Sequence, residues 1–183
     1  MKFAYMPDTH FGVYDQEAPT PAQAADAFEQ LIEEAVLAES LGFDGIFLPE
    51  RHARGETFVP SPLIAATAIA ARTSRVRIAT TVLMPTLYNP MHLAEQVAMI
   101  DNLSRGRFTL GVGVGYHQDY HRLFGVPWEN RGKRFEEVLA VLDLAFSGER
   151  FSYEGNYYRF DNVQLTPRTY QRPGVPIWIG THN

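Results

Sequence analysis

Short apolar, β-prone runs alternate with longer helical patterns along the whole chain, and this alternation limits the fold more than any other feature. "KFAYM" (Lys2–Met6) reads as a first strand. Thr20 before Pro21 is an N-cap with proline at the first helical position, and apolar residues from Phe28 to Ala38 recur at helical spacing up to about Leu41. Gly42 is the expected stop. "GIFLP" (Gly45–Pro49) is a short buried strand. Ser61–Pro62 opens a second helix that runs to about Arg72, and "VRIATTVLM" (Val76–Met84) is a third strand. Asn89–Pro90 starts a third helix ending near Leu103, followed by "RFTLGVG" (Arg107–Gly113) as a fourth strand. A fourth helix covers about Arg131–Phe146 and stops at Gly148. "RFSYEGNYYRF" alternates around Gly155–Asn156 as a β-hairpin excursion, and "VPIWIG" (Val175–Gly180) is a fifth strand. The order β-α-β-α-β-α-β-α-hairpin-β implies right-handed parallel βαβ units. Two architectures satisfy it: a doubly wound open sheet, or part of a (β/α)8 barrel.

Composition excludes several function classes. The chain has 183 residues, 45 % hydrophobic and 20 % charged, with a formal charge of −5. No Lys/Arg tract stands out, so a nucleic-acid backbone is not an expected partner. With no cysteine there is no disulfide framework, thiol nucleophile or cysteine–zinc site. No stretch reads as a signal peptide or a membrane span, and the expectation is a soluble, cytoplasmic, single-domain chain.

The segment "FTLGVGVGYHQDYHRLFG" (Phe108–Gly125) places Gly111, Gly113 and Gly115 at every second position and follows them with histidines and tyrosines. One reading is steric: bare backbone lets a strand turn or a helix pack closely. The other puts this backbone against a flat ring or a phosphate, where any Cβ would intrude. The spacing is G-x-G-x-G, and no acidic residue follows about 20 positions later at the end of another strand, so the dinucleotide-binding fingerprint does not apply. There is no Walker-type Gly-Lys-Ser/Thr and no Gly-x-Ser-x-Gly. His117 and His121 stand four apart, but Gln118 occupies the place of the glutamate that a zinc-protease helix needs, so no metal is expected.

"NPMHLAEQVAMIDNLSRGRFTLGVGVG" and the "YHRLFG" that closes the segment resemble the luciferase-like monooxygenase family, flavin-dependent (β/α)8 enzymes. "ESLGFDGIFLPERH" (Glu39–His52) and "VPIWIG" resemble the same family at its second and fifth strands. The resemblance runs nearly end to end. It implies an α/β fold of the (β/α)8 TIM-barrel type, here a single domain over residues 1–183 that is incomplete after the fifth strand. It implies reduced FMN, or alternatively the deazaflavin coenzyme F-420, at the C-terminal ends of the strands. Gly113 and Gly115 would then leave room for the isoalloxazine face. Just past them, Tyr116 first, then His117 and Tyr120, are candidates to cover the flavin or contact its ribityl chain, the other reading being ordinary packing of the loop. Thr80, Thr81 and Val82 match a bulge that carries a non-proline cis peptide beneath the flavin in the family.

His52 follows the second strand and is the expected acid/base, with Glu50 as its catalytic neighbour. Arg51 stands where the family's light-emitting members place a histidine, so light emission is not expected. Val114 replaces an arginine of those members. Phosphate contacts are expected in part from the loop opening with Thr181, His182 and Asn183. His10 and Phe11 are candidates to line a substrate pocket, and Asn89 reads as a helix cap. The implied activity is a monooxygenase acting with O2 on a small organic substrate. The alternatives are deazaflavin-dependent hydride transfer and a catalytically silent flavin-binding or assembly fragment. Five strands leave two open sheet edges, so either a homo-oligomer or further strands are expected to cover them.

Overall fold

The computed structural model describes residues 1–10, 12–13 and 16–180, so the expectations for Phe11 and for residues 181–183 lie outside the described residues. Five parallel strands form one sheet: β1 (Ala4–Tyr5), β2 (Gly45–Leu48), β3 (Arg77–Thr80), β4 (Phe108–Val112) and β7 (Ile177–Ile179). β5 (Phe151–Glu154) and β6 (Arg159–Val163) make a separate antiparallel hairpin, closed over a loop in which the Gly155 N–H donates to the Tyr158 carbonyl. The sheet order β1-β2-β3-β4-β7 follows the chain without reversal. A doubly wound sheet reverses its order at a switch point, whereas a barrel adds strands in sequence, so the order selects the barrel-type arrangement.

The helices are α1 (Pro21–Ser40), α2 (Pro62–Arg72), α3 (Pro90–Leu103), a short α4 (Gln118–Leu123) and α5 (Arg131–Phe146). α1 packs on α2, α2 on α3, and α3 on α5, as consecutive right-handed crossovers require. Their inward stripes are rich in small residues: Leu31, Ala35 and Ala38 on α1; Ala66, Ile69 and Ala70 on α2; Leu93, Ala94, Val97 and Ala98 on α3. These stripes close on Ile46, Leu48, Ile78, Leu110 and Val112 of the sheet, all fully buried. A buried branched side chain of this kind stabilises the fold by about 1.5–3 kcal/mol at most.

Helix starts follow local chemistry. The Thr20 hydroxyl accepts from the Gln23 N–H and the Gln23 side chain accepts from the Thr20 N–H, a complete capping box. Asn89 accepts from the Met91 and His92 amides, as its reading as a cap requires. Ser61 differs: Pro62 opens α2 as expected, but the serine makes no side-chain cap bond.

β3 is shorter than the sequence pattern. It ends at Thr80, the Thr81–Val82 peptide is cis, and the chain rejoins the sheet only at Leu83, which bridges Val112. The Leu83 N–H donates to the Gly111 carbonyl and the Gly113 N–H to the Leu83 carbonyl, each at 2.9 Å. The pairing resumes after a two-residue bulge, and this bulge forms part of the floor of the site. Two further elements, a 3-10 turn at Pro85–Leu87 and α4, fall where no regular element was expected.

Candidate functional site

The C-terminal ends of β2, β3, β4 and β7 open on a cleft of about 810 Å³, within the range of small-molecule sites. Its wall includes Glu50 and Arg51 after β2, Thr81 and Val82 from the bulge, Gly113 to Tyr116 after β4, and Gly180 after β7. Two smaller cavities, of about 350 and 410 Å³, flank His52, and the first shares Tyr120 with the cleft.

The glycines have a steric cause that the spacing alone left open. A Cβ on Gly111 would strike the Thr80 carbonyl, because β3 and β4 approach there main chain to main chain. A Cβ on Gly113 would stand 2.8 Å from a Val82 methyl, and one on Gly180 would meet the other Val82 methyl at 2.9 Å. Val82 therefore sits between the ends of β4 and β7. The bareness expected to make room for a ring makes room first for Val82, while Gly113 and Gly115 still border the cleft. Gly115 has φ +85°, which glycine adopts without strain, and a Cβ there would press on Met84 and His121.

Glu50 is fully buried. Its carboxylate accepts the Met84 N–H at 2.5 Å and the Tyr88 hydroxyl at 2.6 Å. These bonds fasten the end of β2 to the segment following the bulge. Burial, together with the Glu50 charge and hydrogen bond, pushes the Tyr88 phenol far up, so Tyr88 remains a donor.

His52 is buried behind Glu50. Its Nε2 stands 3.2 Å from a Glu50 oxygen but off the hydrogen-bonding direction, which leaves that nitrogen without a hydrogen-bond partner in the protein. The ring meets Tyr120 and Phe124 edge-on. His52 lines the two smaller cavities and not the main cleft.

Thr80, expected at the cofactor, is wholly buried, and its hydroxyl donates to the Gly111 carbonyl at 2.6 Å. It ties β3 to β4 and does not line the cleft, because the strand ends one residue later, at the bulge. Thr81, Val82, Gly113, Gly115 and Tyr116 do line it, with Tyr116 largely exposed at its mouth. His10 is exposed, its ring 3.0 Å from Asp8, away from all three cavities. Among the described residues no group of three or more His, Cys, Asp or Glu side chains is placed to hold a metal.

The sequence reading missed Met84, Trp128, Arg131 and Phe135, which complete the cleft wall. A signal was available for two of them: Trp128 precedes Arg131 by three residues, and the guanidinium carbon lies 3.7 Å from the ring centre. His121 lies under this wall, its ring edge-on to Trp128. Burial pushes the imidazole down, Arg131 and Arg134 push it further, and the His117 carbonyl opposes them only in part.

A bare-backboned cleft at the strand ends, walled by aromatic and apolar side chains, suits a flat ring with a polar tail. Comparison with known proteins agrees. An F420-dependent glucose-6-phosphate dehydrogenase of Beutenbergia cavernae is 38 % identical over 156 residues, covering 80 % of this chain and 44 % of the relative. The oxygenase component of a flavin-dependent trigonelline monooxygenase of Acinetobacter baylyi is 27 % identical over 158 residues, covering 85 % and 44 %. The crystal structure of the monooxygenase RslO1 from Streptomyces bottropensis superposes with a TM-score of 0.88 at 32 % identity, over 98 % of this chain and 53 % of that one. The chain thus spans about half the length of the relatives it matches. The sequence model of the luciferase-like monooxygenase family matches residues 1–183. The chain belongs to the luciferase-like monooxygenase family.

Proposed function

We propose that this chain carries the flavin-facing part of an oxidoreductase, a monooxygenase that uses reduced FMN and O2 on a small organic substrate. The observation that carries the reading is the cleft itself: about 810 Å³ at the strand ends, with Thr81–Val82 and Gly113–Gly115 along one wall. When bound, reduced FMN supplies the electrons for O2 activation. The protein's residues hold the ring and shield it. Thr81, Val82 and the Gly113–Gly115 backbone offer a surface without long side chains, and the buried Met84 and Phe135 add an apolar wall. Glu50, with both oxygens engaged, is a positioning residue that fixes Met84 and Tyr88 and hence the bulge. His52 holds or releases a proton at Nε2, one side chain behind the cleft.

One observation favours deazaflavin coenzyme F-420 and hydride transfer instead: the 38 % identical relative from Beutenbergia cavernae is an F420-dependent dehydrogenase. Titration of the chain with FMN and with coenzyme F-420, followed by coenzyme fluorescence, separates the two. Saturable binding of FMN, with O2 uptake by the reduced complex, supports the monooxygenase. Preference for F-420 without O2 uptake supports the dehydrogenase. FMN binding with no turnover on any substrate supports the silent fragment, and failure to bind either coenzyme removes all three readings. We propose further that a second copy, or additional strands, covers the sheet edges at β1 and β7.

A further inference from the structure

Arg51 has no part in the function proposed above. It follows Glu50 at the end of β2 and lines the main cleft, not the two smaller cavities. Its side chain turns back over the strand end, where Nη1 donates to the Glu50 carbonyl at 3.1 Å. That bond holds the guanidinium at the cleft wall. The remaining donors make no hydrogen bond in the protein, and among the described residues no carboxylate forms an ion pair with Arg51. These donors are also open. Arg51 is only partly buried, and its Nε and Nη2 keep accessible surface, whereas the Nε atoms of Arg131 and Arg134 are sealed from solvent.

The rest of the wall does not answer this charge. Glu50 is the one carboxylate along it; it is fully buried, with its oxygens engaged by the Met84 N–H and the Tyr88 hydroxyl. Arg131, the second arginine of the wall, stacks on Trp128. Much of the remaining lining is apolar or aromatic, with Val82, Met84, Trp128 and Phe135 among it. A molecule that fills such a cleft strips water from the open donors of Arg51. A neutral, apolar occupant leaves them desolvated and unpaired, which costs binding free energy. A carboxylate replaces the lost water with two charge-assisted hydrogen bonds in the planar geometry of the guanidinium fork. The wall thus selects by charge at the end of β2 and by apolar fit elsewhere.

We propose that Arg51 is a specificity-determining residue that pairs with a carboxylate of the substrate, so that the cleft takes small organic acids with an apolar body. This rests on the reading of the cleft as a flavin and substrate site, and it names the substrate class.

The test is calorimetric titration of the 183-residue chain at neutral pH, both free and with saturating FMN. The probes are benzoate and benzamide, which share a ring and differ in charge. Benzoate should bind saturably, and benzamide at least about tenfold more weakly. Arg51→Gln should weaken benzoate about tenfold and leave benzamide within about twofold. Arg51→Lys should fall between, because an ammonium keeps the charge and loses the fork. Arg131→Gln should leave the preference for benzoate in place.

Equal affinity for the two probes in the parent chain, or no saturable benzoate binding, overturns the proposal, and neither result needs a variant that folds. A preference for benzoate that survives Arg51→Gln and disappears in Arg131→Gln overturns it as well. So does an Arg51→Gln chain that loses affinity for FMN but not for riboflavin, since Arg51 would then hold the flavin phosphate. Arg51-dependent benzoate binding in a chain that binds no flavin retains the acid-binding role and refutes the flavin reading. Flavin binding with no discrimination between the probes does the reverse.

Discussion

Gly111 and Gly132 place the same chemical change in opposite settings. A Cβ on Gly111 collides with the Thr80 main chain, which cannot move without parting β3 from β4, whereas one on Gly132, in the first turn of α5, meets nothing within 4 Å. Gly111→Ala should destabilise the fold by about 1–3 kcal/mol or more, and Gly132→Ala should stabilise it by about 0.5–1 kcal/mol, both measured by urea denaturation. His52 is the second residue-scale test. His52→Gln preserves a polar side chain of similar reach without an acid/base nitrogen. Turnover should fall about tenfold or more while the FMN dissociation constant changes little. Unchanged turnover would reduce His52 to a packing residue. Glu50→Gln probes position instead: one acceptor becomes a donor facing the Met84 N–H or the Tyr88 hydroxyl, so FMN affinity and stability should fall together, by about 1–3 kcal/mol in stability.

At the scale of elements, two glutamates each gather three consecutive backbone amides. Glu39, near the end of α1, accepts from Ser74, Arg75 and Val76 and so fixes the turn from α2 into β3. Glu137 of α5 accepts from Asn156, Tyr157 and Tyr158 and fixes the hairpin loop. For Glu39, burial alone would raise the carboxyl pKa, but the amide donors outweigh it and hold it below the usual range. A depressed folded-state value stabilises the protein above the unfolded pKa, about 4.3, and that contribution is lost as pH falls through the lower folded value. Thermal unfolding of Glu39→Gln should therefore show a lower Tm than the parent at pH 7, with the difference shrinking below about pH 4. Arg107 is the cationic counterpart. Its guanidinium donates to the Ala70, Thr73 and Val76 carbonyls and so terminates α2 against β4, a planar fork that lysine cannot reproduce.

Across the whole molecule, strand order puts the loops after β2, β3, β4 and β7 at one end and leaves β1 and β7 as the edges of the sheet. β7 carries Trp178 and Ile179, each about half exposed at 49 % and 55 %, and Phe3 and Met6 beside β1 are exposed at 58 % and 57 %. Unpaired strand edges bearing apolar side chains associate. The 183-residue chain should sediment as a species larger than a monomer at micromolar concentration. Ile179→Lys should shift it toward the monomer with its circular dichroism retained, and a parent chain that sediments as a monomer would refute this.

Helix starts at Thr20–Pro21 and Asn89–Pro90, the Gly42 stop and the strand at Gly45–Leu48 were all legible, because capping and periodicity act over a few neighbouring residues. The family was legible for the same reason, since its motifs are contiguous. Periodicity alone left a barrel-type and a doubly wound sheet open; the contiguous family motifs implied the barrel type, and the strand order, a property of contacts distant in the chain, shows it. The two-residue break at Thr81–Val82 is a continued apolar run by periodicity, and only the family resemblance placed a bulge there; Thr80, expected at the cofactor, has its hydroxyl bonded across the sheet. Trp128 and Arg131 joined the cleft because α5 packs on α3 and on the 3-10 turn at Pro85–Leu87, which no local pattern encodes. Short-range geometry was thus set by the chain itself, whereas the identity of each wall of the site arose only when segments up to about 130 residues apart came together, Glu50 on one side and Ile179 on the other.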